Sequence, residues 1–587
     1  MYQRLTVIFS SFAFLLSACS SPTTGSNTDT LIQEDLSLAT DTIETEDTVA
    51  DISGTAMLFH NNPVKDDWET SAATITGSLE GLMEGPFAKV FNCVNEDGGW
   101  MREYDLGLFG QVKVQLCNIK KTVEPDEAGS YLSVLPPGDQ TDPDDSFAEL
   151  MTFYHMNVVH DYFKNTHAHE GMDHPLEAYV NVQLYLETEL QMDGIPSGWM
   201  GIDNAMYMPG EGWGELEEMA EQLLKEMFGI EDELALPFKN DGLFFFQGQV
   251  DFAWDADVIY HEYTHATIGS DRLLGTGIDE YGPHDDPRSI NEAMADYFSC
   301  TILDDSLASE YALGTLMGNG IGRDLSTAHV CPDDYYGEEH EDGMIFSTAL
   351  WSIRQKLGQE DADRIIFNAM MTFGQTTSFS EAAEAIIQEA AALEQPRNDE
   401  VEEVFSAHGI LDCKGRVKQY GNYDSQSRFP DFLPGTQTTG WMVFSEGAPA
   451  YVQYEFEVLE GTNSIELQVR AQTSGLLSML GDLMPGEDLD LAVALKRDGA
   501  ITYEYNPTFK HTEDGIVEFE KIDDEVYLAT IEGNCLEPGL HTFQLINLSA
   551  NGAMVYGMHL VQNEEPVLEQ GSYDCHCEPD CADKNCG

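Results

Sequence analysis

The sequence predicts an α+β protein in which a strand-rich region, a helical region and a second strand-rich region follow one another. Between about residues 51 and 135, short runs that alternate apolar and polar residues, such as Val112–Leu116, are separated by Gly, Asn and Pro, which is typical of antiparallel strands. From Ser289 to about Ala407, apolar residues recur at helical spacing. Alternation returns after Cys413, for example in Tyr451–Phe456, and indicates a separate β-sandwich.

The chain length of 587 residues exceeds what one core supports, so two or three folded units with linkers are expected. A hydrophobic content of 42% and an aromatic content of 10% exclude a wholly disordered chain. The predicted segments are a signal peptide at residues 1–18, an acidic flexible tether at 19–50, a β-rich lobe at 51–270, a helical lobe at 271–415, a β-sandwich at 416–564 and a Cys-rich tail at 565–587.

Several individual elements are predicted from the same two periodicities. Helical spacing is found from Phe147 to Lys164, Ile345 to Leu357, Ser380 to Leu393 and Asp399 to Ala407. The helix at Phe147 is followed by the strand-like Tyr179–Tyr185. Helices and strands therefore mix before the main helical region begins.

The N-terminus has the features of an export signal. An apolar run from Leu5 to Leu16 is too short to span a bilayer as a helix. Leu16-Ser17-Ala18-Cys19 resembles the lipobox of bacterial lipoproteins, which implies cleavage before Cys19 and acylation of that cysteine. The alternative is an ordinary secretory signal with a chance cysteine. We expect export in either case, and with the lipobox a lipid anchor on Cys19 in the bacterial outer membrane, facing outside.

The cysteines suit an oxidising compartment. Of the eleven cysteines, ten remain when Cys19 is set aside, and an even number favours disulfides. Cys93 and Cys117 are expected to join neighbouring strands. The last four lie between Cys575 and Cys586, where a small disulfide knot is favoured over a metal-binding knuckle because the protein is expected to be exported.

The charge is strongly negative. The formal net charge of −78 comes from 105 acidic against 27 basic residues, which makes nucleic acid an unsuitable partner. A solvated acidic surface suited to salty surroundings is one explanation, and structural Ca²⁺ at unassigned carboxylate clusters is the other. Asp488 and Asp490 alternate with leucines, which fits an exposed strand face as well as a calcium site.

One helical segment places two imidazoles at metal-ligand spacing. In the motif His-Glu-Tyr-Thr-His at residues 261–265, His261 and His265 share a helix face, with Glu262 beside them. A catalytic zinc site takes a third protein ligand and keeps its fourth position for water. Glu292 is the candidate third ligand, and Asp296, one turn later, can accept a hydrogen bond from a liganding imidazole.

These two motifs, HEYTH at 261–265 and NEAMAD at 291–296, resemble those of the thermolysin family of zinc peptidases and the related fungalysins. The resemblance implies a β-rich lobe and a helical lobe with Zn²⁺ in the cleft between them. It also implies hydrolysis of peptide bonds by metal-activated water, with Glu262 as general base. The likeness extends over about residues 51–413, and the β unit that follows is similar to the bacterial pre-peptidase C-terminal domain.

The resemblance implies roles for residues outside the metal motif. Tyr281 is similar to the tyrosine that helps to bind the polarised carbonyl, with a slightly longer spacer before Glu292. His340 resembles the histidine that stabilises the oxyanion. Asn204 and Ala205 resemble the pair that holds substrate main chain along an edge strand.

Arg323 is left out of the predicted catalytic set. It matches the family arginine near the substrate carbonyl in type, but it lies closer to His340 in sequence than its counterpart does in thermolysin. The family's usual long propeptide also has no room in the tether, so the way in which activity is restrained is left open.

We therefore expect a monomeric zinc metalloendopeptidase that acts on extracellular proteins or peptides. One alternative is a catalytically inactive peptidase fold that serves as a surface binding or adhesion lipoprotein, and the intact Glu262 argues against it. The other is an aminopeptidase, which typically carries an additional motif for the substrate amine that this sequence lacks.

Overall fold

The computed structural model describes residues 51–564, apart from residues 80, 97, 106–110, 189–197, 215–216, 218–220, 222–224, 226–232, 425–426, 437–442, 445–446, 475–488, 506–507, 512–515 and 533–535. The predicted signal peptide with Cys19, the tether, the Cys-rich tail and Asp488 thus lie outside the described residues. Within the described part, helices and strands mix as the α+β class predicts, and that class is confirmed. No helix of this part is long and apolar enough to cross a membrane.

The helices agree with the predicted periodicities. The α-helices are α1 (Ser146–His167), α2 (Ala256–Ile268), α3 (Asp286–Leu303), α4 (Ala312–Leu316), α5 (Glu339–Leu357), α6 (Gln359–Met370), α7 (Phe379–Ala391) and α8 (Asn398–Ala407), with short 3-10 helices at Phe252–Trp254 and Ile410–Asp412. Local chemistry sets their ends. The Asp145 side chain accepts a hydrogen bond from the Phe147 N–H where α1 begins, and Ser378 and Glu381 form a reciprocal cap where α7 begins.

The strands before and within the helical region form a small hairpin and a larger mixed sheet. They are β1 (Asp51–Leu58), β2 (Ser71–Leu79), β3 (Ala88–Val94), β4 (Met101–Asp105), β5 (Gln111–Leu116), β6 (Asn118–Lys120), β7 (Leu176–Thr188), β8 (Gly198–Gly201), β9 (Ala205–Met208), β10 (Gly242–Phe246), β11 (Gly277–Asp279), β12 (Gly282–His284), β13 (Leu307–Ala308) and β14 (Arg323–Asp324). Antiparallel strands were predicted for about residues 51–135, and within that range β1 pairs with β2, β3 with β6 and β4 with β5 in antiparallel fashion. Beyond it, β7 pairs parallel with both β3 and β10. Helix α1 lies between β6 and β7 in the chain and is part of the long connection that the parallel pairing of β3 with β7 requires.

The main order of the larger sheet is β4-β5-β7-β10-β9, which leaves β9 at an edge. The predicted link between Cys93 and Cys117 is confirmed as a disulfide. A second disulfide joins Cys331 to Cys413, and Cys300 is buried without a disulfide partner.

We define residues 416–564 as the C-terminal β unit, and its described residues form two six-stranded sheets and a three-stranded sheet. Its strands are β15 (Val417–Gln419), β16 (Tyr423–Asp424), β17 (Asp431–Leu433), β18 (Val443–Phe444), β19 (Ala448–Pro449), β20 (Gln453–Val458), β21 (Ser464–Thr473), β22 (Leu491–Arg497), β23 (Tyr503–Tyr505), β24 (Thr508–His511), β25 (Ile516–Glu518), β26 (Glu520–Asp523), β27 (Val526–Glu532), β28 (Gly539–Asn547) and β29 (Ala553–Asn563). Buried side chains of both six-stranded sheets, such as Val493 and Leu467, belong to one hydrophobic cluster. That cluster continues without a break into the helical region, where it includes Tyr263 and Phe346.

A buried carboxylate fastens three helices together. Asp363 on α6 accepts hydrogen bonds from the hydroxyls of Tyr162 on α1 at 2.7 Å, Tyr297 on α3 at 2.6 Å and Thr301 on α3 at 2.9 Å. A buried acceptor with several donors is stable because its lone pairs are satisfied away from water. Helix α3, which carries Glu292, is thereby held to the helices around it.

We expect Asp363→Ala to lower the free energy of unfolding by about 3 kcal/mol, because the buried Tyr297 and Thr301 hydroxyls lose their acceptor. Urea denaturation measures this. Asp361→Ala, at a position on the same helix whose side chain is 40% exposed, is the control and should change the free energy by less than about 0.5 kcal/mol. Equal effects of the two substitutions would contradict the assigned role of Asp363.

Candidate metal centre

The site is built on two buried helices, α2 and α3. Helix α2 begins where the Asp255 side chain accepts a hydrogen bond from the Asp257 N–H, and it ends at Gly269, whose φ of 82° suits glycine. Tyr260 and Tyr263 anchor α2 in the core. The opposite side of the helix, with His261 and Glu262 at 8% and 6% exposure, therefore faces α3 and the floor of a pocket.

Three predicted ligands converge. The Nε2 atoms of His261 and His265 lie 3.0 Å apart. Glu292 places Oε2 3.1 Å from Nε2 of His261 and Oε1 3.5 Å from Nε2 of His265. Across the described chain, this trio is the group of His, Cys, Asp or Glu side chains whose donor atoms meet closely enough, within 4.8 Å, to hold a metal ion.

The far ring nitrogens of both histidines are engaged by α3. Nδ1 of His261 lies 2.9 Å from Oδ1 of Asp296, and Nδ1 of His265 lies 2.8 Å from Oδ1 of Asn291. Because a carboxylate oxygen can only accept, it favours the tautomer with the proton on Nδ1 and leaves Nε2 free to bind a metal. The structure thus places Asp296 where the sequence analysis expected it and adds Asn291, whose amide oxygen can play the same part.

Arg323 forms an ion pair with Asp296. Its Nε donates to Oδ2 of Asp296 at 2.7 Å, and a second guanidinium nitrogen donates to Oδ1. This bidentate contact fixes the plane of the carboxylate that orients His261. From the sequence, Arg323 could be matched only to the family arginine near the substrate carbonyl, since spacing along the chain gives no sign of its pairing with Asp296.

Burial and charge oppose each other in this cluster. Burial alone would raise the pKa of Asp296, but Arg323 and His261 outweigh it and hold that pKa well below its usual range. Burial likewise opposes ionisation of Glu292, yet His340, His265 and His261 hold its pKa well below the ordinary value. Both carboxylates are therefore charged at neutral pH, so that Glu292 is available to a cation and Asp296 to the imidazole N–H of His261.

Glu262 has the opposite balance. Burial raises its pKa, and Glu292 adds to that effect, while the two neighbouring imidazoles and a hydrogen bond from the Tyr207 backbone N–H reduce it. A carboxylate with a raised pKa is a better proton acceptor than an ordinary glutamate. Its contact with Tyr207 also connects the helix α2 to the edge strand β9.

The pocket above the three ligands has a polar wall and a partly apolar wall. Residues of and around β9, together with Leu274, provide the apolar part of the lining. The lining residues are Asn204, Ala205, Met206, Tyr207, Met208, Pro209, Gly212, His261, Glu262, His265, Gly269, Leu274, Arg288, Asn291, Glu292, Glu339 and His340. Asn204 and Ala205 are thus brought to the site as the sequence analysis expected, and Nδ2 of Asn204 is buried without a hydrogen-bond partner among the described residues.

His340 reaches the pocket from the first turn of α5. Its Nε2 lies 3.5 Å from Oε2 of Glu292, and its Nδ1 lies 2.8 Å from Oε1 of Glu338. Burial lowers the pKa of His340, but Glu292 and Glu338 outweigh it and raise the pKa well above the ordinary value. Glu338 also caps α5 by accepting the Glu341 N–H, a role that its residue type does not signal in sequence.

Tyr281 does not line this pocket. It lies in the turn of the β11–β12 hairpin, where its N–H donates to Asp279, and its ring packs against Gly415. The carbonyl of the preceding residue, Glu280, accepts a hydrogen bond from the Tyr503 N–H of the C-terminal β unit. The hairpin is therefore drawn towards that unit, and the site described above is built without Tyr281.

Comparisons with known proteins leave the family of this chain undetermined. No family model matches the sequence, and no curated protein matches it. Among solved structures, one match is a family GH115 4-O-methyl-α-glucuronidase with specificity for decorated arabinogalactans, which is 10% identical over 66% of this chain with a TM-score of 0.16. The match spans 51% of that enzyme's chain, and so low a TM-score carries no argument about fold or activity.

We expect Asp296→Ala to weaken binding of added Zn²⁺ by about 10–100-fold, because His261 loses the partner that fixes its tautomer and orientation. Competition with a chromogenic chelator measures the affinity. Asp361→Ala, at the half-exposed position used above, is the control and should bind as the wild type does. An unchanged affinity of the Asp296 variant would show that Asp296 does not support the ligand set.

Proposed function

We propose that this protein is a zinc-dependent endopeptidase, with His261, His265 and Glu292 as metal ligands and Glu262 as general base. One observation carries the proposal: two imidazoles and a carboxylate converge on one point while the far nitrogens of both imidazoles are held by α3. Such an arrangement leaves the ligand atoms aimed at the pocket. This convergence supports a metal-dependent reaction beside the buried Glu262.

The spacing of the donors fits a tetrahedral ion. Zinc bound to nitrogen and oxygen at about 2.0–2.1 Å has ligand atoms about 3.3–3.4 Å apart at the corners of a tetrahedron. The three distances between the donors are 3.0, 3.1 and 3.5 Å. Two nitrogens and one oxygen also form a set that catalytic zinc sites use, with the fourth position open.

A zinc ion held there would lower the pKa of a coordinated water towards neutrality and polarise the carbonyl of the scissile bond. Glu262 lies beside the ligands with its carboxylate held by the Tyr207 N–H. Its raised pKa favours acceptance of a proton from water at a carboxylate oxygen, and the same oxygen can then deliver that proton to the leaving amine nitrogen.

His340 is the donor that reaches the developing negative charge on the carbonyl oxygen. Glu338 engages its Nδ1, so Nε2 faces the pocket. In its charged form the ring carries a proton on both nitrogens, and Nε2–H can donate to the oxygen. This contact strengthens as charge develops, which lowers the barrier rather than only binding the substrate.

Strand β9 supports an extended peptide as substrate. It pairs with β10 along one side, and the described strands leave its other side free at the edge of the sheet. A peptide can add to such an edge by main-chain hydrogen bonds, and the unpaired Nδ2 of Asn204 offers a further donor for a peptide carbonyl.

The carboxylates of the pocket favour cleavage within a chain over removal of a terminal residue. An aminopeptidase needs an acidic side chain that is free to bind the substrate amine. Of the lining acids, Glu292 belongs to the ligand set, Glu262 is the base, and Glu339 lies 3.4 Å from Nε of Arg288. We accordingly propose internal peptide bonds of extracellular proteins as the substrate, with the enzyme exported and anchored through Cys19.

We expect Glu262→Gln to reduce cleavage of an unfolded, fluorescently labelled protein by about 10²–10⁴-fold, because the glutamine cannot accept the proton of the attacking water. Zinc content, measured by elemental analysis, should stay at the wild-type level, since Glu262 is outside the ligand set. A chelator should abolish wild-type cleavage, and added Zn²⁺ should restore it.

Two results would count against the proposal in different ways. Cleavage by Glu262→Gln at the wild-type rate would exclude Glu262 as the base. Stoichiometric zinc in the wild-type protein, with no cleavage of any of a set of unfolded proteins and peptides, would favour the inactive binding lipoprotein instead.

We expect His340→Ala to lower kcat by about 100-fold with KM changed by less than about twofold, because the Nε2–H contact is made mainly in the transition state. Steady-state kinetics on an internally quenched peptide give both constants. His559→Ala, an exposed histidine of the C-terminal β unit, is the control. A rise in KM alone would instead assign His340 to ground-state binding.

A further inference from the structure

The segment that leads to His340 is held by residues outside the helical region. We call residues 331–338 the Tyr336 loop. It begins at Cys331, which is disulfide-bonded to Cys413 at the entrance to the C-terminal β unit, and it ends at Glu338, the cap of α5. The position of the Glu338–His340 pair therefore depends on what holds this loop.

Tyr336 is held by residues of the C-terminal β unit. Its backbone carbonyl accepts a hydrogen bond from the Phe432 N–H at 2.8 Å. Its ring lies 4.1 Å from Nζ of Lys418, 5.3 Å from the Arg428 guanidinium and 5.6 Å from the Phe429 ring. Cations over its aromatic face and an edge-on contact with the Phe429 ring hold this side chain in place.

Gly337 is fitted against the same unit. It has a φ of 81°, and a Cβ at this position would collide with the ring of Tyr451, which is itself 4% exposed. The N–H groups of Tyr336 and Gly337 both donate to the carboxylate of Asp342 in the first turn of α5. The loop is thus fastened to the start of α5 on one side and to the C-terminal β unit on the other.

The C-terminal β unit also contacts the start of α3, the helix of Glu292. Arg416 donates to Oδ1 of Asp286 at 2.7 Å and lies 4.8 Å from the ring of Tyr335. The Tyr335 hydroxyl in turn donates to Asp286 and accepts the Asp285 N–H. Both sides of the site, the His340 side and the Glu292 side, are therefore supported from residues after 415.

We propose that the C-terminal β unit is a positioning part of the active site, and that Tyr451 acts through the Tyr336 loop to hold Glu338 and His340 in place. The effect of this positioning on catalysis rests on the proposed peptidase function. The similarity to the pre-peptidase C-terminal domain predicts a separate domain. These contacts instead make the unit necessary for placing His340, the donor that faces the carbonyl oxygen. A shift of about 1 Å in such a group is enough to cost a large factor in rate.

The test compares three substitutions in the full chain. Tyr451→Ala should lower kcat at least about tenfold with KM within about twofold, because His340 loses its support while the edge strand is unaffected. Tyr451→Phe keeps the ring on Gly337 and should retain the wild-type kcat. Phe456→Ala removes a ring that packs on Phe543 and His541 inside the unit, and it should leave kcat unchanged.

A double substitution shows whether the effect passes through His340. In the His340→Ala background, Tyr451→Ala should cause no further loss of kcat, since the residue that it positions is already gone. Equal losses from Tyr451→Ala in both backgrounds, or an equal loss in Phe456→Ala, would overturn the proposal and leave Tyr451 with a purely structural role.

Hydrogen exchange tests the positioning without any activity. In Tyr451→Ala, the N–H groups of Tyr336, Gly337 and Phe432 should exchange at least about tenfold faster than in the wild type. The N–H groups of α2 should keep the wild-type rate. If Tyr451→Ala folds poorly, Tyr336→Ala is measured instead, with the same expected result. Unchanged exchange in this segment would overturn the proposal even if the protein is an active peptidase. Faster exchange in a protein that cleaves nothing would support the positioning of the Tyr336 loop by Tyr451. It would count only against the proposed peptidase function.

Discussion

The structure depends on pairing buried charges around helix α3. Asp296 on this helix lies between His261, whose Nδ1 it orients, and Arg323, which donates to both of its oxygens. Removing Arg323 would leave the Asp296 carboxylate buried without a cationic partner, which is far more costly than losing an exposed ion pair. The same chain of contacts aims Nε2 of His261 at Glu292, so the stability of the cluster and the geometry of the ligand set have one cause.

The distribution of the few cations follows the same constraint. Although the chain has 105 acidic and 27 basic residues, two of its arginines are buried beside α3 and a third, Arg323, has a side chain only 13% exposed. Arg288 pairs with Asp285, Arg323 with Asp296 and Arg416 with Asp286. Positive charge is therefore concentrated along the helix that carries Glu292. The attraction within these pairs persists in salt, because screening by solvent and ions acts much less on buried pairs than on surface charges.

Local periodicity made part of the site predictable. The i, i+4 spacing places His261 with His265 on one face of α2 and Glu292 with Asp296 on one face of α3, and the bounds of the long helices follow from the same rule. The remainder depends on contacts between distant segments. Arg323 reaches Asp296 from 27 residues away, and Glu338 is recognised as the partner of His340 only from the cap of α5. The parallel pairing of β3 with β7 was missed for the same reason, since alternation within a strand does not specify the direction of its neighbour.

The C-terminal β unit determines which groups can face the pocket. Its Tyr503 N–H binds the carbonyl of Glu280 and draws the β11–β12 hairpin, with Tyr281, towards itself and out of the pocket lining. Its Tyr451 and Phe432 contact the Tyr336 loop, which leads to Glu338 and to the pocket-lining His340. The same unit thus packs against the hairpin that carries Tyr281 and against the loop that leads to His340. Under the proposed peptidase function, stabilisation of negative charge on a carbonyl oxygen depends on His340 and, through the Tyr336 loop, on residues after 415.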